Sequence, residues 1–277
     1  MKFLKRVFDF YLNSSIHVAL SAFALTWLTL IQYNLSYDKN VLYFVFFASI
    51  TGYNFVKYFG VAKFHHRSLA SWLKVIQVFS LLAFLIMCYY LFQLKLLTLL
   101  YIGSLGIVTF LYAIPFIPKK YLFDEQQNLR EIGGLKVYVI ALVWMFTTVI
   151  LPLVENEVTI NTDVILTSVQ RFCFVIVLML PFEIRDLNYD NLKLATIPQR
   201  IGLKRTKILG VLLLMLFFML EYLRDEFSSA SIVSTLLIVF IALLFLVFSN
   251  KNQSKYYSAF FVESLPILWL IVLQLFS

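Results

Sequence analysis

The chain has 277 residues, of which 61% are hydrophobic and 14% charged, and it carries a net charge of +8. A soluble domain has about 25% charged residues, so this composition excludes an ordinary water-facing surface. In so apolar a chain the positive excess reads as charge that orients the protein in a lipid bilayer, not as a nucleic-acid footprint.

The apolar residues fall in long blocks. About 20 residues at 1.5 Å per residue cross a hydrocarbon core of roughly 30 Å, and the blocks are too continuous for barrel strands. Lys2, Lys5 and Arg6 precede an apolar run from Ile16. Within it, Ala22-Phe23-Ala24 has the small-x-small form of a signal cleavage site. The run continues to Tyr33, so it is read as a retained first span. In chain order the blocks predict an all-α membrane protein with about nine transmembrane helices, at roughly 15–33, 41–61, 72–92, 96–115, 136–154, 164–182, 206–222, 230–249 and 257–276. No Gly/Ser-rich or Pro-rich linker interrupts them, which predicts one membrane domain over 1–277.

Nine spans sort the charges. The N-terminus (Lys2, Lys5, Arg6) falls on one side with the 2–3 loop (Lys57, Lys63, Arg67, Lys74) and the 4–5 loop (Lys119, Lys120, Arg130, Lys136). The 6–7 loop (Arg185, Lys193, Arg200, Lys204, Arg205, Lys207) and the 8–9 loop (Lys251, Lys255) join them, which makes 19 of the 23 basic residues. The other side has Lys39, Lys95 and Arg224, with Arg171 inside the sixth span. Basic loops face the cytoplasm, so the N-terminus is predicted cytoplasmic and the C-terminus opposite. Cys88 and Cys173 lie inside apolar blocks and read as small packing residues. His17, His65 and His66 have no Cys or carboxylate at ligand spacing, which argues against zinc.

The polar chemistry gathers after the sixth block, from Pro181 to Gly202. If the sixth helix runs on, Glu183, Asp186 and Asp190 are spaced i, i+3, i+7 and share one face. Three stacked carboxylates repel one another. Either they form a solvated acidic turn, or they hold a hard divalent cation, and Mg²⁺ so held also takes phosphate oxygens. Lys and Arg in the neighbouring loops suit a diphosphate. Aromatic ring faces suit a carbocation or an isoprenoid tail, although most of the aromatics read as lipid-facing packing.

At these residues the sequence resembles the UbiA superfamily of membrane prenyltransferases. Glu183-x-x-Asp186-x-x-x-Asp190, then Thr196-x-Pro198 and Gly202, is similar to the family's second aspartate-rich motif. Tyr112-Ala113-Ile114-Pro115, Pro118-Lys119-Lys120, Gly133-Gly134-Leu135-Lys136 and Trp144 resemble its 4–5 region. The first aspartate-rich motif departs from the family. Asn54 is present, but Phe55, Tyr58 and Ala62 stand at the expected acidic positions. The resemblance implies a UbiA-like bundle with a central cavity opening to the cytoplasmic loops. It implies transfer of a prenyl group from a prenyl diphosphate to an aromatic or other lipophilic acceptor, with no required protein partner. It also implies Mg²⁺, in fewer ions than is usual for the family, on Asp186, Asp190, Asn54 and Glu183, with Lys119, Lys120 and Lys193 neutralising the diphosphate. Arg185 either joins them or pairs with Glu183 or Asp186.

Lys57 and Lys63 offer direct cationic contacts where the family's acids act through metal. An alternative is a catalytically impaired relative that binds isoprenoid lipid or a membrane partner. Glu263 lies inside the last span, where a charge costs about 2.5–3.5 kcal/mol. It either lines the cavity and meets an acceptor, or is protonated, or sits near the helix end.

Overall fold

The computed structural model describes residues 2–64, 71–113, 134–188, 195–225 and 228–276. Helices occupy all nine expected stretches: α2 (Ile16–Gln32), α3 (Lys39–Phe64), α4 (Ser71–Leu91), α5 (Leu96–Ala113), α6 (Leu135–Met145) continued by α7 (Leu151–Glu155), α8 (Thr162–Asp186), α9 (Ile197–Glu221), α10 (Ser229–Phe248) and α11 (Leu265–Phe276). Among the described residues five helical stretches are long and apolar enough to cross a membrane by length and composition, or six when a bent pair counts as one. No strand forms among the described residues. The protein is an integral, multi-pass, all-α membrane protein.

The bent pair is a feature that composition alone did not separate. Before α2 lies α1 (Lys2–Asn13), turned 53° from it. Phe3, Leu4 and Val7 are exposed on α1, beside Lys5 and Arg6. An amphipathic helix of this make-up lies in the membrane interface.

Contacts between helix ends show that the chain runs up and down. At one end, here the basic end, Tyr58 at the close of α3 donates to Asn13 O (2.8 Å), and His17 at the start of α2 meets Phe260 O (2.9 Å). At the other end, Lys95 N donates to the Glu155 carboxylate (3.1 Å) and Asn156 Nδ2 to Asp38 (3.4 Å). There the Lys95–Glu157 pair (2.7 Å) raises the lysine and lowers the carboxyl from their usual ranges through their hydrogen bond. Both groups are exposed, so the pair adds little stability.

Helix α8 is the axis of the bundle. Inside the protein, 72% of its apolar window is buried, against 17% for α4. Phe174 on α8 stacks on Phe217 of α9 (5.1 Å), and both meet Trp269 of α11 edge-on (5.3 and 5.4 Å). Arg171 is buried one turn earlier and has no carboxylate within ion-pair distance among the described residues. Its guanidinium donates to Leu25 O (3.0 Å), Thr148 Oγ1 (3.1 Å) and Thr29 Oγ1 (3.2 Å), and lies 5.6 Å over Trp269. Thr148 belongs to a π-helical turn, Phe146–Ile150, and its carbonyl accepts from Thr29 (2.7 Å). These contacts tie α2 to α8 and to the π-helical turn.

Gly210 marks a close helix crossing. A Cβ there would press on Leu246 of α10 and Leu180 of α8. Gly210→Leu is therefore expected to destabilise the bundle by about 1–3 kcal/mol. Gly103→Ala, which meets nothing within 4 Å, is expected to be neutral. Thermal unfolding of both variants in detergent checks this.

Candidate active site

The basic end gathers two polar groups of residues. The first sits at the break between α1 and α2. Ser15 has φ +63°, a left-handed conformation that costs a non-glycine residue about 1–2 kcal/mol. Asn54, on α3 and buried, holds this break in place. Its Oδ1 accepts from Ser15 Oγ (2.8 Å), and its Nδ2 donates to Ser14 O (3.0 Å) and Ser80 Oγ on α4 (2.8 Å). The amide oxygen keeps a second lone pair. Lys57, one turn on, donates from Nζ to Ser15 Oγ (2.8 Å). Asn54 thus positions the serine that aims Lys57.

Helix α1 closes over this group. Tyr11 and His17 share a 2.6 Å hydrogen bond, with Phe260 O accepting from the other ring nitrogen. Phe8 packs on Phe260 (5.1 Å) and Phe10 on Phe79 (5.7 Å). Asp9 accepts from Tyr256 OH (2.8 Å) and Lys255 Nζ (3.1 Å). That bond to Asp9 raises the lysine's pKa.

The second group lies at the junction of α8 and α9. Glu183 is buried, and its Oε2 accepts from Ile197 N (3.1 Å) at the start of α9. A carboxylate at a helix N-terminus is stabilised by the unpaired amides and the helix dipole. The Thr196 N–H donates to Gln199 Oε1 (3.0 Å), and Pro198 follows within the first turn. Asp186 closes α8 and pairs with Arg185 Nε (2.7 Å), so Arg185 takes one of its two expected partners. Arg185 also donates to Ser258 Oγ (3.1 Å) and lies 5.5 Å from the Phe182 ring. The helix ends at Asp186, with Leu187 and Asn188 in a turn.

The segments that carry the sequence resemblance meet here. Gly134 (φ +77°) needs its freedom and its space, since a Cβ there would come 3.2 Å from Ala195 O and 3.5 Å from Arg200 Cζ. Trp144 donates from Nε1 to Tyr53 OH (2.7 Å), joining α6 to α3. Gly202 (φ +79°) breaks α9 near its start. Asp190, Lys119, Lys120 and Lys193, and the side chain of Lys63, lie outside the described residues.

Two linkages join the groups. Arg185 reaches Ser258 in the π-helical turn Tyr257–Val262, which leads to α11. Directly after that turn, the Glu263 carbonyl accepts from the Ser21 hydroxyl of α2. A shallow apolar groove beside Phe146, Ile165, Val169 and Phe172 lies elsewhere, on the first half of α8.

Among the described residues no cluster of three potential metal-ligating side chains forms. Mg²⁺ needs only one or two carboxylates when phosphate and water complete its shell, and Asp186 supplies a hard oxygen donor of that kind. Asp186 therefore suits an ion that a phosphorylated substrate helps to hold.

No family model and no curated protein sequence matches the chain. In structure it matches digeranylgeranylglyceryl phosphate synthase in membranes, at 15% identity and a TM-score of 0.57, over 99% of this chain and 98% of that one. The chain shares that protein's fold.

Asn54→Ala removes three buried hydrogen bonds at the α1–α2 break. It is expected to cost about 2–3 kcal/mol and to expose the Asn13–Ser15 segment to proteolysis. Melting curves and limited proteolysis, with Phe55→Leu as control, check this.

Proposed function

We propose that the protein is an intramembrane prenyltransferase. It moves a prenyl group from a prenyl diphosphate to a lipophilic acceptor at the cytoplasmic face of the membrane. What supports this reading is the fold shared with digeranylgeranylglyceryl phosphate synthase, together with the Arg185–Asp186 pair that closes α8 and the Lys57 ammonium held by Ser15 near the end of α3. These residues come from α3 and α8, and a phosphorylated headgroup is the ligand their charges suit.

In this reading Lys57 and Arg185 hold the diphosphate by charge-assisted hydrogen bonds. Lys63, Lys119, Lys120 and Lys193 add positive charge from the adjoining segments. Asp186 and Asp190 would hold Mg²⁺, with Asn54 offering its remaining lone pair, and the ion would supply positive charge to offset that on the leaving diphosphate. Glu183 acts through α9, because its carboxylate fastens the start of that helix beside the site. The prenyl chain lies among the apolar side chains of the bundle, where leaving water is favourable.

The phenylalanine and tyrosine at positions 55 and 58 favour direct contact over metal bridging on the α3 side. Tyr58 there spends its hydroxyl on Asn13 O, and Lys57 supplies the charge that an acid–metal pair supplies in the family. The same departure supports a second reading, a catalytically impaired relative that binds isoprenoid lipid.

The test is purified full-length protein in lipid nanodiscs with labelled prenyl diphosphates of several lengths, with and without Mg²⁺. Diphosphate release is expected, and it is expected to be lost on chelation and in Asp186→Asn and Asp190→Asn. Lys57→Ala and Lys63→Ala are expected to weaken prenyl-diphosphate binding roughly tenfold each, as loss of about 1.4 kcal/mol implies. Tight binding without release establishes the impaired reading, and absence of binding removes both.

A further inference from the structure

Helix α1 carries one apolar face along most of its length. Phe3, Leu4, Val7, Phe8, Phe10 and Tyr11 recur at i, i+3, i+4 and i+7, the spacing that gathers side chains on one side of a helix. The two halves of that face meet different surroundings. In the second half, Phe8 packs on Phe260 (5.1 Å), Phe10 packs on Phe79 (5.7 Å), and Tyr11 is hydrogen-bonded to His17 (2.6 Å). In the first half, Phe3 is 76% exposed, Leu4 71% and Val7 50%. The helix therefore overhangs the bundle, and the apolar side of the overhang is bare.

Lys5 and Arg6 are exposed beside this bare stretch. At 3.6 residues per turn they flank it on opposite sides. Neither makes an ion pair among the described residues. Asp9, the acid of α1, does not neutralise them, because Tyr256 (2.8 Å) and Lys255 (3.1 Å) engage it. An apolar strip with uncancelled cations along both edges is complementary to a bilayer surface. The strip enters the acyl boundary, and the cations reach the phosphates above it. Because α1 leads directly into the span α2, its overhang starts where that surface lies. Each basic residue near the surface favours anionic over neutral lipid by roughly fivefold.

The same helix reaches the polar group around Lys57. Its last residue, Asn13, accepts through its carbonyl from Tyr58 of α3 (2.8 Å). The next two residues form the break, where the Lys57 ammonium donates to Ser15 Oγ (2.8 Å). Ser15 has φ +63°, a conformation that persists only where the surroundings enforce it. The seating of α1 is one of those surroundings. We infer that the overhanging half of α1 seats on the anionic phospholipid headgroups of the adjoining leaflet, and that this seat holds Ser15 where it aims Lys57. Lipid charge then governs how well the protein binds a prenyl diphosphate. The seat stands on α1 alone, whereas its effect on diphosphate binding rests on the prenyltransferase reading.

The test uses the full chain in nanodiscs of phosphatidylcholine alone, or of phosphatidylcholine and phosphatidylglycerol in equal parts. In F3W, quenching of the added tryptophan by brominated acyl chains, read as the increment over the wild type, is expected to be about twofold or more stronger in the anionic discs. Adding K5Q and R6Q to F3W is expected to abolish that preference. In the anionic discs, F3S/V7S is expected to weaken binding of labelled geranylgeranyl diphosphate about threefold to tenfold, because apparent affinity scales with the fraction of protein in the competent form. F3L/V7I, which keeps the strip apolar, is expected to retain it. In a Lys57→Ala background F3S/V7S is expected to cause no further loss, since the two changes act through one contact. Equal quenching in the two lipids, or none in either, overturns the seat and leaves the face to a protein partner or a second copy. Unchanged affinity in F3S/V7S overturns the coupling to Lys57. Wild-type protein that shows the anionic preference and binds no prenyl diphosphate overturns the prenyltransferase reading and leaves the lipid seat established.

Discussion

A polar group inside a bilayer has no water to fall back on, so each one must find its partner in the protein. That requirement shapes this bundle more than apolar packing does, because lipid tails are as apolar as the side chains they touch. Asn54 shows it most fully. Its amide joins α3 to α4 through Ser80 and to the α1–α2 break through Ser14 and Ser15. Arg171 does the same deeper in the bundle, joining α8 to α2 and to the π-helical turn before α7. Glu221 repeats the pattern toward the other end, where it accepts from Gln170 (2.7 Å) and from the Ser231 hydroxyl, with Arg224 at 3.6 Å.

These connections give the two ends different character. Toward the non-basic end, Glu221 is buried and paired within the protein. At the basic end Arg185 pairs with Asp186, and Lys57 turns to Ser15. Each charge in the apolar layer is costly, so a partner within the protein matters most for the buried one.

Helix α1 adds a third element. It lies across the basic end, fastened to α3 by Tyr58, to α2 by His17 and to the segment before α11 by Asp9. The Lys57 aim depends on Ser15, so the geometry of the site and the seating of α1 are one arrangement.

The sequence by itself determined the class of fold, since blocks of apolar residues admit few other solutions in lipid, and all nine blocks are helical. It also marked Glu183, Asp186 and Arg185 as belonging to one polar segment, because they are neighbours in the chain. Spacing could not assign their partners. It grouped Glu183 with Asp186 on one helix face, while the tertiary structure gives Glu183 to Ile197 and Asp186 to Arg185. Separation of α1 from α2 turned on two serines that carry no helix-breaking signal of their own. Only the folded bundle brings Arg185 to Ser258, 73 positions later in the chain. Periodicity reports which face of a helix avoids water, and the fold decides which helix that face meets.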